Sequence, residues 1–263
     1  MQPSGAGAFN VAGEAYDNYM GRYSKPLAVE FAAFVGCGAA DRVLDVGCGP
    51  GALTAELVRR VGAANVMACD PSPRFVADCA QRNVGVDVRA GSAERLPFDD
   101  DSVHAALAQL VLHFVGDPSA AAAELARVVR PGGRVAACVW DFDQGMELLR
   151  AFWDAALTLD PEAPDEARVL RFGRLGEIAG WLACGGFADI VETTLTVTST
   201  YRDYAELWEG LQHGIGPAGS YLVAQSDELR ERLRGALFER LGRPAGAFTL
   251  AAVARTAKGR LPR

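Results

Sequence analysis

The chain has 263 residues, 50% hydrophobic and 22% charged, a composition that excludes a disordered segment and leaves ample apolar material for a core. Lys and Arg total 26 against 33 Asp and Glu, a net charge of −7, so the global field does not favour a phosphate backbone and no nucleic acid is expected as a partner. No apolar run reaches the ~18 to 20 residues that cross a bilayer; the longest, Val103 to Val115, is broken by His104, Gln109 and His113.

Met1 to Gly13 is rich in Gly and Ala and lacks a basic start, which predicts a frayed beginning, no secretion signal and a cytoplasmic protein. Glu14 to Tyr23 reads as an aromatic-rich helix. Arg42 to Val46 is a strand that enters a glycine turn, and Ala52 to Val61 is the helix behind it. Asn65 to Asp70 is a second strand, followed by a helix from Pro73 to Asn83 opened by a Ser72 cap. Val86 to Ala90 and Ser102 to Ala108 are the third and fourth strands. A helix over Pro118 to Val129 stops at a turn, Arg130-Pro131-Gly132-Gly133, before a fifth strand, Arg134 to Trp140.

Beyond residue 140 the text changes. Gln144 to Gly185 is helical, Ile190 to Thr200 alternates as a strand, helices cover Tyr201 to Gln212 and Asp227 to Leu241, and Phe248 to Thr256 is a closing strand. Strands separated by helices pair in parallel through right-handed crossovers. The expected architecture is therefore α/β: a doubly wound, mostly parallel, seven-stranded Rossmann-like sheet with a helical cap at the C-terminal edge. As one domain it divides into lid helices (1–40), a core (41–140), helices and a late strand (141–245) and a closing strand with its tail (246–263). Six Cys, at 37, 48, 69, 79, 138 and 184, form no CxxC pair and no zinc spacing. They read as buried thiols, and no metal is expected.

The most informative stretch is Val43 to Gly51, VLDVGCGPG. Gly47, Gly49 and Gly51 directly after a strand let the backbone turn tightly near a ligand, and the next helix presents a positive dipole end to an anion. The G-x-G-x-G spacing differs from the G-x-G-x-x-G of nicotinamide dehydrogenases. Asp45, an acid ending an apolar strand, suits an amine beside that anion, as in an amino acid. Asp70 at the end of the second strand suits the two hydroxyls of a ribose, and Pro71 and Ser72 are placed to flank a base. An amino-acid-bearing nucleoside is the implied ligand.

With these residues, GSAERLPF (91–98), ALAQLVLHF (106–114) and RPGGR (130–134), the chain resembles the class I S-adenosylmethionine-dependent methyltransferases, in the small-molecule branch that includes the ubiquinone and menaquinone C-methyltransferases. The resemblance spans residues 40 to 140. It implies S-adenosyl-L-methionine as cofactor, with the three glycines and Asp45 at the methionine end, Asp70 on the ribose, and Ser92 and Ala93 near the adenine. Ser92 stands where the family often has Asp. The resemblance also implies a backbone carbonyl of the fourth strand, at Gln109 or its neighbour, against the methionine amine, and an N-terminal helix over the cofactor that brings Tyr19, Tyr23 or Arg22 near its carboxylate.

A methyl transfer needs a base only where the acceptor must lose a proton. His113, just beyond the fourth strand, is the first candidate for that role or for positioning, and His213 the second. Trp140 and Phe142, with Asp141 between them, and Trp208 are expected on the acceptor side, while His104 reads as structural. LVLHF stands where amino-methylating enzymes carry an Asn-Pro-Pro-Tyr-type motif, so the acceptor is expected to be a small apolar or aromatic molecule methylated on C or O by a monomer or homodimer. The alternative is a non-catalytic module, accessory or regulatory, that binds the same cofactor.

Overall fold

The computed structural model describes residues 17–263, so Met1 to Gly13 and the start of the aromatic-rich segment, Glu14 to Tyr16, lie outside the described residues. A π-helical turn, Asp17–Gly21, leads into α1 (Arg22–Val35). Then come β1 (Val43–Val46), α2 (Ala52–Val61), β2 (Val66–Asp70), α3 (Pro73–Arg82), β3 (Asp87–Ala90) and β4 (Val103–Gln109). The Ser72 hydroxyl accepts a bond from the Phe75 N–H at the start of α3, and Pro73 occupies its first turn, as expected. Helix α4 (Pro118–Val128) carries the chain to β5 (Val129–Trp140).

The second half contains α5 (Glu147–Leu159), α6 (Glu166–Val169), α7 (Glu177–Cys184), β6 (Ala188–Tyr201), α8 (Tyr204–Gln212), α9 (Gly216–Val223), α10 (Asp227–Arg240) and β7 (Phe248–Arg260). Helix α9 has no counterpart in the sequence reading, because Gly216, Pro217 and Gly219 are breakers that tertiary packing overrides here.

The seven strands form one sheet in the order β3-β2-β1-β4-β5-β7-β6. Strands β1 to β5 pair in parallel, and β7 runs antiparallel to both β5 and β6. The chain therefore winds outward from β1 in two directions, and the strand order reverses between β1 and β4. Crevices open outside the strand ends at such a reversal.

Successive residues face opposite layers. Val43, Ala105, Leu107 and Ala136 join the core under α1, α2 and α5, whereas Leu44, Ala106, Val135 and Ala137 join the core under α4 and α7. Strand β1 is buried along its whole length, so Asp45 inside it is an acid in an apolar layer.

Two expectations need correction. The Arg130–Gly133 turn lies inside β5 as a bulge: Val103 pairs with Val129 and Ala105 with Arg134, so two steps along β4 match five along β5. Gly132 has φ 77°, and a Cβ on Gly133 would stand 2.5 Å from Val129 Cγ1, so the segment folds back within the strand only because both residues are glycine. The closing strand is also longer than read from sequence. Its pairing with β6 from Ala188–Arg260 to Tyr201–Phe248 supplies a partner for residues whose own pattern is weak. Among the cysteines, five are buried and Cys184, at the end of α7, is exposed. No helix among the described residues is long and apolar enough to cross a membrane.

Candidate active site

Two cavities meet at the reversal between β1 and β4. The larger, about 1020 Å³ counted out to open solvent, lies over the ends of β1, β2 and β4, and Asp45, Gly47 to Pro50, Asp70 to Ser72, Ser92 to Glu94 and Gln109 line it. The smaller, about 480 Å³, is lined by Tyr19, Met20, His113, Trp140, Phe142, Leu149, Glu166 and the start of α9. Leu110 and Phe114 border both. Leu110 holds φ 62°, a left-handed backbone that a branched side chain rarely adopts, and its N–H is pinned to the Cys138 carbonyl at 2.8 Å. The strained turn after β4 thus forms the shared rim.

The glycine loop works differently from the simplest expectation. Gly47 and Cys48 both donate to the Cys69 carbonyl (2.8 and 2.9 Å), and Gly49 donates to Asp70 Oδ2 at 2.9 Å. These N–H groups are consumed in holding the loop to β2. The N–H groups without an intrahelical acceptor belong to the first turn of α2, at Ala52 and Leu53, which also line the cleft. A Cβ on Gly47 would stand 2.4 Å from Val111 Cγ2, whereas one on Gly49 would meet nothing within 4 Å, so Gly49 leaves the cleft open to close approach. Gly51 does not line the cleft. A Cβ there would lie 2.4 Å from Asn83 Nδ2, and its φ of 97° bends the loop into α2 against α3.

Both acids stand as the spacing predicts. Asp70 accepts from the Gly49 and Ser72 N–H groups (2.9 and 2.8 Å), and burial still raises its carboxyl above the ordinary value. Asp45 accepts from Thr54 Oγ1 at 2.6 Å and is pushed up to about 7, chiefly by burial. The Gln109 side chain donates to the Ser24 carbonyl at 2.9 Å, leaving its own Oε1 and the Ser24 hydroxyl buried without a partner beside the cleft.

This donor set fits an amino-acid nucleoside: helix N–H groups for a carboxylate, Asp45, Gln109 Oε1 and Ser24 for an ammonium, Asp70 for vicinal hydroxyls. Ser24 is a cleft-lining residue that sequence reasoning missed, since a Ser between Tyr23 and Lys25 on a helix carries no distinguishing signal.

The second cavity unites His113, Trp140 and Phe142, as expected. His113 is buried, its ring 4.8 Å from that of Phe142, and its Nδ1 contacts the Arg171 carbonyl. A carbonyl only accepts, so Nδ1 bears the hydrogen and Nε2 the lone pair. Nε2 has no partner. Burial pushes this imidazole down to about 4 against the pull of the Arg171 and Trp140 carbonyls, so it is neutral at pH 7.

Glu166 was not foreseen. It is buried in this cavity, accepts from Trp153 Nε1 at 2.8 Å and is raised to about 7 by burial. In the sequence it follows Asp165 in a Pro-flanked stretch that reads as a solvated helix start, and Asp165 is indeed the cap of α6.

Several expected residues lie elsewhere. Tyr19 borders the second cavity rather than the cofactor cleft, because the π-helical turn carries it across the rim. Arg22 turns away to pair with Glu206 at 2.6 Å and stacks over Tyr201 at 4.1 Å. Tyr23 is fully buried, bonded to Tyr201. Trp208 is buried beside Tyr204, and His213 is exposed at the end of α8; neither lines either cavity. Asp141 is held by Arg255 at 2.6 Å, and His104 Nδ1 accepts from the Arg42 N–H at 2.9 Å, a structural role as read.

A family model described as a methyltransferase domain matches residues 44–137. The chain is 30% identical over 230 residues to a malonyl-[acyl-carrier protein] O-methyltransferase of Halorhodospira halophila, covering 84% of this chain and 70% of that protein. It is 44% identical over 103 residues to an uncharacterized methyltransferase of Mycobacterium tuberculosis, covering 39% of this chain and 41% of the relative. The matches span between 41% and 56% of the length of the first curated relatives. A phosphoethanolamine N-methyltransferase of Haemonchus contortus, solved with S-adenosyl-L-methionine, shares the fold at a TM-score of 0.56 with 17% identity, over 98% of this chain and 57% of that one. With its cleft at the β1–β4 reversal and this relationship over most of its length, the chain belongs to the S-adenosylmethionine-dependent methyltransferases.

Proposed function

We propose that the protein binds S-adenosyl-L-methionine in the larger cleft and transfers its methyl group to a small, apolar or aromatic organic acceptor in the adjoining cavity, at carbon or oxygen. The observation that carries this reading is the junction at Leu110 and Phe114, where a cleft that holds Asp45 and Asp70 meets an aromatic one. A module that only bound the cofactor would have no use for the second cavity.

When bound, the cofactor supplies an electrophilic methyl on a sulfonium. The residues of this chain do the rest. The first turn of α2 holds the carboxylate end, Asp45 and the unpartnered Gln109 Oε1 hold the ammonium, and Asp70 fixes the ribose with Pro71 beside it. Ser92 and Ala93 border the base. Trp140 and Phe142 exclude water and orient the acceptor, so the gain comes from positioning and desolvation. His113 Nε2 receives the acceptor's hydrogen bond and, where the methylated atom must lose a proton, takes that proton.

Isothermal titration with S-adenosyl-L-methionine and its demethylated product tests the first half. Heat with both compounds is expected, and silence with both ends the reading. Mass-spectrometric detection of a 14 Da gain across a panel of small acceptors tests the second half.

A further inference from the structure

The second cavity holds three polar groups on an otherwise apolar wall. Tyr19 OH and His113 Nε2 are buried without partners. Glu166 gives one oxygen to Trp153, while its other oxygen takes no bond from a described residue. All three border the same space. A native interior pairs its polar atoms, so groups left open together mark where a ligand supplies the partners.

The chemistry of that ligand follows from what is missing. Among the described residues no Lys or Arg lines the cavity. Arg171, whose carbonyl meets His113, donates to the Val115 carbonyl at 2.9 Å, and Arg150, next to Leu149, is committed to Asp165 at 3.0 Å. A carboxylate or phosphate acceptor would enter without a counter-charge. A cationic acceptor would need an ionised Glu166 beside it; burial raises this carboxyl to about 7, so it keeps its proton below that pH, and the one bond it takes from a described residue comes from the neutral Trp153 indole. His113 Nε2, fixed as an acceptor, demands a donor.

We infer that the cavity selects an uncharged acceptor carrying a hydroxyl on an aromatic ring or an enol, with that hydroxyl donating to His113 Nε2 and its oxygen accepting from Glu166 and Tyr19. This rests on the methyl-transfer reading and names its substrate class. In the transfer the acceptor's oxygen or adjacent ring carbon forms the new bond to the methyl carbon. The C–S bond breaks with its electron pair left on sulfur, giving a neutral thioether. The acceptor's proton passes to Nε2 and then to water. Glu166 and Tyr19 position the acceptor and gain or lose no proton.

The test uses the full chain saturated with S-adenosylhomocysteine, whose own binding heat is recorded first. Three probes sharing one ring system are then titrated: 2-naphthol, 2-naphthoate and 2-naphthylmethylamine. The expected result is that 2-naphthol binds about tenfold or more tighter than either charged probe. Glu166→Gln, which keeps the shape and a donor, should hold 2-naphthol within about threefold, while Glu166→Leu and Tyr19→Phe should each weaken it about tenfold with S-adenosylhomocysteine affinity unchanged. Tightest binding by the ammonium or the carboxylate overturns the inference, as does no binding by any probe to the loaded protein. If S-adenosylhomocysteine itself fails to bind, the methyl-transfer reading falls with it. Should Glu166→Leu fail to fold, Tyr19→Phe and Glu166→Gln carry the comparison: full 2-naphthol affinity in Tyr19→Phe, or a loss beyond about tenfold in Glu166→Gln, overturns the inference.

Discussion

The two cavities that meet at Leu110 are made of different material. The cofactor cleft is built from backbone: a loop that donates to Cys69 and Asp70, the free N–H groups of one helix turn, and acids at strand ends. The second cavity is built from side chains gathered from the π-helical turn, the turn after β4, the end of β5, α5, α6 and α9. Backbone geometry requires particular residues at particular spacing, so it leaves a mark in the sequence. A cavity walled by side chains from six places requires only that the walls fit, and leaves no such mark.

Substitutions sharpen this contrast. The largest effect is expected on the acceptor side. His113→Ala should lower turnover by about 10² to 10⁴ while cofactor affinity stays as it is; equal loss in both would place the histidine in the fold rather than the chemistry.

Next in size is the pH dependence of the ligand-free protein. Asp45 and Glu166 are each held up to about 7 by burial, against ordinary values of 3.8 and 4.5. Below about 4 both folded and unfolded chains keep these protons. Between about 4 and 7 the unfolded chain has released them and the folded chain has not, so stability falls as pH rises, and above about 7 the loss is complete. Comparing Tm against pH for the wild type and Asp45→Asn isolates one group, and the wild type should lose on the order of 4 kcal/mol more across that window. A parallel pair of curves would mean that Asp45 ionises freely.

The glycines come third. Gly47→Ala drives a Cβ to within 2.4 Å of Val111, and Gly51→Ala to within 2.4 Å of Asn83, both at positive φ. Each should cost about 1 to 3 kcal/mol in thermal or denaturant unfolding. Gly49→Ala, with open space around its Cβ, should cost less in stability and more in cofactor affinity, a split that calorimetry and melting read separately. Asp70→Ala should weaken cofactor binding by about 1 to 3 kcal/mol. The smallest effect belongs to Arg22→Ala: its part-exposed pair with Glu206 is worth roughly 0 to 1 kcal/mol, and cofactor affinity should not change.

The same division explains what could be read in advance. VLDVGCGPG, Asp70 and the alternation of strands with helices gave the sheet, the cleft and its acids, since each depends on local spacing. Helix α9, the bulge in β5 and the length of β7 depend on partners far along the chain. Arg22 and Trp208 sit in helical patterns that do not say which face meets a cavity, so their side chains found Glu206 and Tyr204 instead. Glu166 lies 147 residues from Tyr19 and 53 from His113 by number, and nothing in its neighbourhood marks it as buried.

By itself, then, the sequence determined the parallel core and the loop that ends β1, because a strand followed by glycines and a helix has few ways to turn. Only the tertiary structure decided the acceptor cavity. Its polar atoms come together through packing between distant helices, and burial moves Glu166 up and His113 down in a way that no local pattern encodes.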